Sequence, residues 1–193
     1  LHRNPLCGRN FEYFSEDPYL TGVCACEITK GVQNDRPVIV CPKHFAANEQ
    51  ETFRRGNAGK NVDAVDSILT ERALRELYLK PFEMLVKDAG IACIMTSFNK
   101  INGSFAGGSH DLCTHILREE WGFEGAVVTD WGDMDMVVDG ADAVAAGNDI
   151  VMPGGPPVIR QILKGYEEGR VTREELEQAV RHLLIMIDRK SVV

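Results

Sequence analysis

Four short apolar runs punctuate the chain, at Val38–Cys41, Ile91–Phe98, Ala126–Thr129 and Asp149–Met152. Their apolar residues are largely consecutive rather than alternating, as in strands buried on both faces. Helical patterns separate them. Between Asp66 and Ala89, the residues Leu69, Ala73, Leu77, Phe82 and Leu85 recur near helical spacing. Pro81 interrupts this stretch and predicts two helical pieces, the second opening at Pro81 and stopping at Gly90. Ser109 is placed to cap a helix that reaches Trp121 and ends at Gly122. Residues 133–146 predict a helix of small residues ending at Gly147, and residues 156–169 another ending at Gly169. Thr172 with Glu175 three residues on is a capping box that opens a last helix.

This alternation of strands and helices predicts an α/β fold with parallel strands. Two architectures fit it, a barrel and a doubly wound sheet. No Gly-x-Gly-x-x-Gly follows a strand, so nothing supports a dinucleotide site. Polar residues gather where the predicted strands end: Lys43 and His44 after the first, Asn99 after the second, Asp130 after the third. In a (β/α)8 barrel that face carries the chemistry. Four strands make half of such a barrel, which typically has about 250 residues. The pattern therefore predicts a partial TIM-type (β/α)8 barrel. Further strands lie in residues 1–37, or the chain is a fragment of a larger multidomain enzyme.

Composition narrows the partners. The 193 residues carry a formal net charge of −8, which disfavours a phosphate backbone as partner, so no nucleic acid is expected. No apolar run reaches the roughly 18 residues of a membrane span, so no membrane partner is expected. Leu1–His2–Arg3–Asn4–Pro5 shows neither a start methionine nor a signal pattern, and reads as a truncated N-terminus. The six cysteines, Cys7, Cys24, Cys26, Cys41, Cys93 and Cys113, have neither zinc-site nor Cys-x-x-Cys spacing. They read as free thiols of a reducing compartment, which points to the cytoplasm, with a periplasmic or secreted location left open by the truncated N-terminus. No metal and no cofactor is expected.

Residue chemistry alone leaves the candidates open. Asp130 follows an apolar run and precedes Trp131. A carboxylate there can attack an anomeric carbon, and an indole can stack on a sugar face. Asp130 is equally suited to be a helix N-cap, with Asp133 and Asp135 as first-turn acids. Lys43 and His44 can donate to hydroxyls, and Lys43 can hold a carboxylate ionised or form a Schiff base. A surface lysine and a satisfied core histidine are the plainer alternative. Arg9 offers a planar fork for two hydroxyls or a carboxylate, or is a loop arginine in a surface ion pair. Asn102–Gly103 reads as a turn. His110, His115 and His182 read as surface or structural. Glu49, Glu51, Arg54 and Arg55 read as a solvated or ion-paired loop.

Five segments taken in order resemble glycoside hydrolase family 3. They are Gly8–Arg9–Asn10–Phe11–Glu12–Tyr13–Phe14–Ser15–Glu16–Asp17–Pro18, then Lys43–His44–Phe45–Ala46–Ala47–Asn48–Glu49–Gln50–Glu51–Thr52, then Met95–Thr96–Ser97–Phe98–Asn99–Lys100–Ile101–Asn102–Gly103. Trp121–Gly122–Phe123–Glu124–Gly125 leading to Thr129–Asp130–Trp131, and Gly147–Asn148–Asp149–Ile150–Val151–Met152–Pro153, complete the set. The resemblance implies that Asp130 is the catalytic nucleophile of a retaining glycosidase and that Arg9, Lys43 and His44 bind the sugar. It implies that Trp131 lines the sugar site and that Phe98 stands where the family commonly has a tyrosine. Ala46–Ala47–Asn48–Glu49 replaces the Pro–Gly–His–Gly stretch of the N-acetylglucosaminidase branch, so the chain is similar to the β-glucosidase and β-xylosidase branch.

The resemblance also implies a domain plan. Residues 1–193 correspond to one domain, the C-terminal portion of the family's barrel, with the upstream strands and the following α/β sandwich domain outside them. A retaining mechanism needs two carboxyl groups about 5–5.5 Å apart. Asp130 fills one place, ionised and held so by Lys43 or Arg9. The acid/base is expected outside this chain, supplied by a second domain or chain that completes the site. The expected substrate is a β-glycoside or oligosaccharide. Two other readings stand beside this one: a non-catalytic carbohydrate-binding remnant of a hydrolase barrel, and a Schiff-base aldolase using Lys43.

Overall fold

Neighbouring parallel segments in chain order form the centre of the molecule. A computed structural model describes residues 1–34, 38–57, 60–132 and 137–189. Strand Cys93–Met95 pairs in parallel with Ala126–Val128, residue against residue. A parallel bridge joins Phe45 to Thr96 on one side, and another joins Val128 to Ile150 on the other. Residues 42–46, 93–97, 126–129 and 149–152 thus lie side by side. Val127 and Ile94 are fully buried in the two middle members, as consecutive apolar residues predict. The fold is α/β with parallel strands. The described residues supply this open arc of four.

The first segment differs from its expected position. The ladder does not use Val38–Cys41. It starts where the Met95 N–H donates to the Pro42 carbonyl at 3.1 Å, and it continues with Phe45 N–H to the Met95 carbonyl at 2.7 Å. The shift puts Lys43 and His44 inside the paired segment.

We label the longer helices α1 (Pro18–Gln33), α2 (71–89), α3 (Asp111–Glu120), α4 (Gly140–Ala146), α5 (Pro156–Glu167) and α6 (Arg173–Asp188). Helix α1 occupies part of the region where further strands were one of two expectations. The Asp17 side chain accepts from Leu20 N–H at 2.7 Å, and Pro18 sits in the first turn, where its missing N–H costs nothing. In α2 the helix begins at Glu71, capped by Thr70, while Asp66–Ser67 is a short strand. Wide π turns over Leu74–Leu79 run without a break into Lys80–Ala89, whose first turn holds Pro81. The α-helical part opens at Lys80, one residue before the expected Pro81, and the chain stays helical across the join where two separate pieces were expected. Gly90 stops it at φ +60°.

The remaining helices follow their signals. The Ser109 hydroxyl accepts from Leu112 N–H at 3.2 Å and starts α3, and Gly122 follows at φ +72°. Of the helix expected at 133–146, α4 is the described part, and residues 133–136, with Asp133 and Asp135, lie outside the described residues. Thr172 and Glu175 form both bonds of the capping box at the start of α6. Asn102 and Gly103, at φ +50° and +90°, turn a hairpin between Lys100–Ile101 and Ser104–Phe105.

The core lies where α1, α2 and α3 cover the arc. It holds Phe45, Leu79, Leu85, Ile91, Ile94, Leu117 and Val127. The Phe45 ring meets the edges of Phe82 at 5.1 Å and Trp121 at 6.0 Å between centroids. Phe45 therefore anchors the segment that carries Lys43 and His44.

Candidate active site

The ends of the parallel segments are fixed by buried polar groups. The Ser97 hydroxyl and the Asn99 side-chain amide donate to the Ala46 carbonyl at 2.9 and 3.2 Å. The Thr129 hydroxyl accepts from Met152 N–H at 2.9 Å, and Thr129 N–H donates to the Ile150 carbonyl. These bonds satisfy backbone groups as the strands finish and fix the backbone on which His44 and Asp130 stand. Asn99, singled out from the sequence by its place after a strand, serves as such a brace.

Four of the sequence-predicted residues meet here. The His44 ring, 2% exposed, lies with Nε2 3.6 Å from Asp130 Oδ2. Arg9 Nη1 approaches His44 Nε2 at 3.2 Å, and the Tyr13 hydroxyl lies 3.0 Å from Nδ1. A guanidinium only donates, so Nε2 accepts from Arg9 and Nδ1 carries the proton given to Tyr13. Burial first, then the charges of Arg9, Lys43 and Arg54, push the His44 pKa down to about 3, against a smaller upward pull from Glu12. His44 is neutral at physiological pH.

Glu12 organises the cations. Arg9 Nε and Nη2 donate to its two oxygens at 2.7 Å each, and Lys43 Nζ lies at 3.3 Å. The Arg9 bond, followed by that of Lys43, holds the Glu12 carboxyl down at about 2, against burial. The sequence predicted that Lys43 or Arg9 braces Asp130. Instead the ion pairs of both cations run to Glu12, and His44 stands beside Asp130. Sequence reasoning assigned Glu12 and Tyr13 no role. The signal for Glu12 was its place three residues after Arg9, one turn of the short helix Asn10–Glu12. Burial raises Tyr13 to about 12, so it stays a neutral phenol.

The two predicted aromatics sit differently. Trp131 is 65% exposed beside Asp130, and its backbone N–H donates to Asp130 Oδ1 at 2.7 Å. An exposed indole there is free to cover a ring. Phe98 is buried, with the guanidinium carbons of Arg54 and Arg55 at 4.5 and 5.4 Å from its ring centroid. It packs under two cations.

The charged loop after Phe45 is ion-paired, as read from the sequence. Glu51 pairs with Arg54 at 3.2 Å, and Glu49 accepts the N–H groups of Arg3 and Asn4. His115 is on the surface with Glu119, and His182 is structural. A cavity of about 210 Å³ reaches Glu12, Tyr13 and Lys43. A larger one, about 550 Å³, lies at the other end of the 149–152 segment, beside Arg118, Asp149 and His182. There Asp149 already accepts from Arg118, His182 and Val127 N–H at 2.6, 2.8 and 2.7 Å. That network is spent on holding α3 and α6 to the arc, so the site belongs to the Asp130 end. Among the described residues no group of three or more His, Cys, Asp or Glu could hold a metal ion.

Comparison with known proteins shows which family the chain is similar to. The model of the glycosyl hydrolase family 3 N-terminal domain matches residues 1–186. Beta-glucosidase A of Butyrivibrio fibrisolvens is 44% identical over 178 residues, covering 92% of this chain and 20% of that protein. Beta-glucosidase B of Emericella nidulans is 41% identical over 189 residues, covering 97% and 21%. The structure of beta-glucosidase 3B from Thermotoga neapolitana with α-D-glucose superposes with a TM-score of 0.86 at 42% identity, covering 97% of this chain and 26% of that one. The chain spans about a fifth of the length of the curated relatives it matches.

Proposed function

This chain belongs to glycosyl hydrolase family 3, and on that premise we propose that the protein it forms part of hydrolyses terminal β-linked glucosides by a retaining mechanism. Asp130 is the nucleophile. The parallel arc is part of a (β/α)8-type barrel, residues 1–193 being one domain of it. The observation that carries the reading is the Asp130 carboxylate at a strand end, 3.6 Å from a neutral, buried His44 and beside an exposed Trp131.

Each neighbour has a part in the chemistry. Trp131 stacks on the glucose ring and helps turn its anomeric carbon toward Asp130. Arg9 and Lys43, fixed through Glu12, offer their remaining N–H groups to sugar hydroxyls, and Phe98 supports that wall from beneath Arg54. His44, unable to take up a proton near neutral pH, stands neutral beside Asp130, the group that attacks. The attack forms a glycosyl ester on Asp130 and breaks the bond to the leaving oxygen. Water then releases glucose.

The acid/base is assigned outside these residues, to a second domain or chain that completes the site. Glu12 is unsuited to it, because a carboxyl held near 2 has no proton to give at neutral pH. The Lys43–Glu12 ion pair likewise occupies the amine that an aldolase Schiff base would need. The free thiols support a reducing compartment, the cytoplasm. Labelling of the full-length protein with a 2-fluoro glucosyl fluoride tests the central claim. The expected product carries the sugar on Asp130, and a label on any other residue overturns the assignment. Turnover of a nitrophenyl glucoside separates this reading from a binding remnant, which binds glucose and does not turn over.

A further inference from the structure

Two thiols meet next to the candidate site, and the proposed chemistry uses neither. Cys41 Sγ and Cys93 Sγ are 3.1 Å apart, although 52 positions separate them in the sequence. Their meeting follows from strand register. Met95 N–H bonds the Pro42 carbonyl and Ser97 N–H bonds the Phe45 carbonyl, so the segments at 41 and 93 run side by side. Cys41 lies one residue before the first of these bonds and Cys93 two residues before Met95, so the two side chains meet where the ladder starts. Closing the present gap to a bond of about 2.05 Å asks for roughly 1 Å of side-chain movement.

The other described cysteines differ. Cys7, Cys26 and Cys113 are buried, and the Cys113 thiol donates to the Ala106 carbonyl at 3.5 Å. Cys24 and Cys26 are two apart on α1, a spacing at which helical side chains do not face each other.

Access and reactivity are divided between the two sulfurs. Cys41 is half-buried and lines the cavity of about 210 Å³ that also reaches Lys43 and Glu12, so a small molecule has a route to it. Cys93 is buried. The contact between the two sulfurs lowers the Cys93 pKa, so Cys93 is the sulfur suited to attack a mixed disulfide on Cys41.

We propose that Cys41 and Cys93 are a dithiol site that closes to a reversible disulfide on the segment carrying Lys43 and His44. The oxidant is a low-molecular-mass disulfide. In the first exchange Cys41 sulfur bonds to one sulfur of the oxidant, and its proton leaves with the other as a thiol. Cys93 gives up its proton and attacks Cys41 sulfur as the thiolate, the bond from Cys41 to the small sulfur breaks, and the second small thiolate departs and takes up the released proton. The two protein thiols are oxidised and one small disulfide is reduced to two thiols. The bond joins the segment two residues before Lys43 to the next segment of the arc.

The test treats the full-length native protein with oxidised glutathione, blocks remaining thiols with iodoacetamide, and maps peptides by mass. The expected result is a Cys41–Cys93 crosslinked peptide, a loss of two alkylatable thiols, and full reversal by dithiothreitol. Cys93→Ala is expected to stop at a glutathione adduct on Cys41, and Cys24→Ala to behave as the parent. Both thiols remaining alkylatable after oxidation overturns the proposal. So does a parent protein that holds glutathione on Cys41 with Cys93 free, or one that crosslinks other cysteines. If Cys93→Ala fails to fold, the parent map alone decides.

Discussion

A buried neutral histidine between cations makes the stability of this fold depend on pH, and the size of the effect follows from the structure. In the native state His44 titrates near 3, depressed by burial and by Arg9, Lys43 and Arg54. In an unfolded chain it titrates near 6.5. Between those values the unfolded state binds a proton that the native state refuses. Stability is therefore fully present above about 6.5 and is lost as pH falls toward 3, with a slope approaching 1.4 kcal/mol per pH unit. From pH 7 to pH 4 the loss attributable to His44 is about 3 kcal/mol. A His44→Gln chain keeps hydrogen-bonding atoms near Arg9 and Tyr13 but cannot titrate. Equilibrium urea unfolding of both chains at steps from pH 7 to 4 measures the difference. The variant is expected to start less stable and to converge on the parent as pH falls. Parallel profiles would refute the reasoning. They would mean that the Asp130 carboxylate, 3.6 Å away, keeps His44 protonated in the native state against burial and three cations.

Other substitutions probe separate links. Glu12→Gln removes the anion that pairs Arg9 and Lys43; a KM for nitrophenyl glucoside raised at least tenfold is expected, read by steady-state kinetics. Tyr13→Phe removes the partner of His44 Nδ1 and is expected to cost about 1 kcal/mol in urea unfolding. Asp149→Ala leaves the Arg118 guanidinium buried without its counter-charge, and a loss of about 3–5 kcal/mol is expected by the same assay. Phe45→Ala empties the centre of the core, with an expected cost of about 3–5 kcal/mol and a lower melting temperature by calorimetry.

The fold was legible where burial or capping writes itself in local sequence. Residues such as Ile94 and Val127 are apolar in a row because both faces of their segments are covered. Gly90, Gly147 and Gly169 mark helix ends because each adopts a positive φ that other residues resist. Helix α1 escaped because its buried face is Thr21, Gly22, Cys26 and Thr29, while Tyr19, Leu20 and Ile28 face outward. That inverts the usual apolar stripe, and only Asp17–Pro18 signalled a helix start. The shifted ladder at 42–46 was hidden for a different reason. Hydrogen-bond register depends on which carbonyls Met95 and Ser97 find, and side-chain type does not report it.

At the site, the residue types were legible and their partnerships were not. Strand ends pointed to Lys43, His44 and Asp130, but the Lys43–Glu12 pair and the contacts of His44 depend on approaches across more than thirty residues. Arg9 reaches His44 over 35 positions and Tyr13 reaches it over 31. The consequence is chemical. Both cations pair with Glu12, and the group set beside Asp130 is a neutral ring. On the proposed reading of the site, Glu12 holds the cations that face the sugar while Asp130 attacks, so the two carboxylates of the cluster have separate tasks.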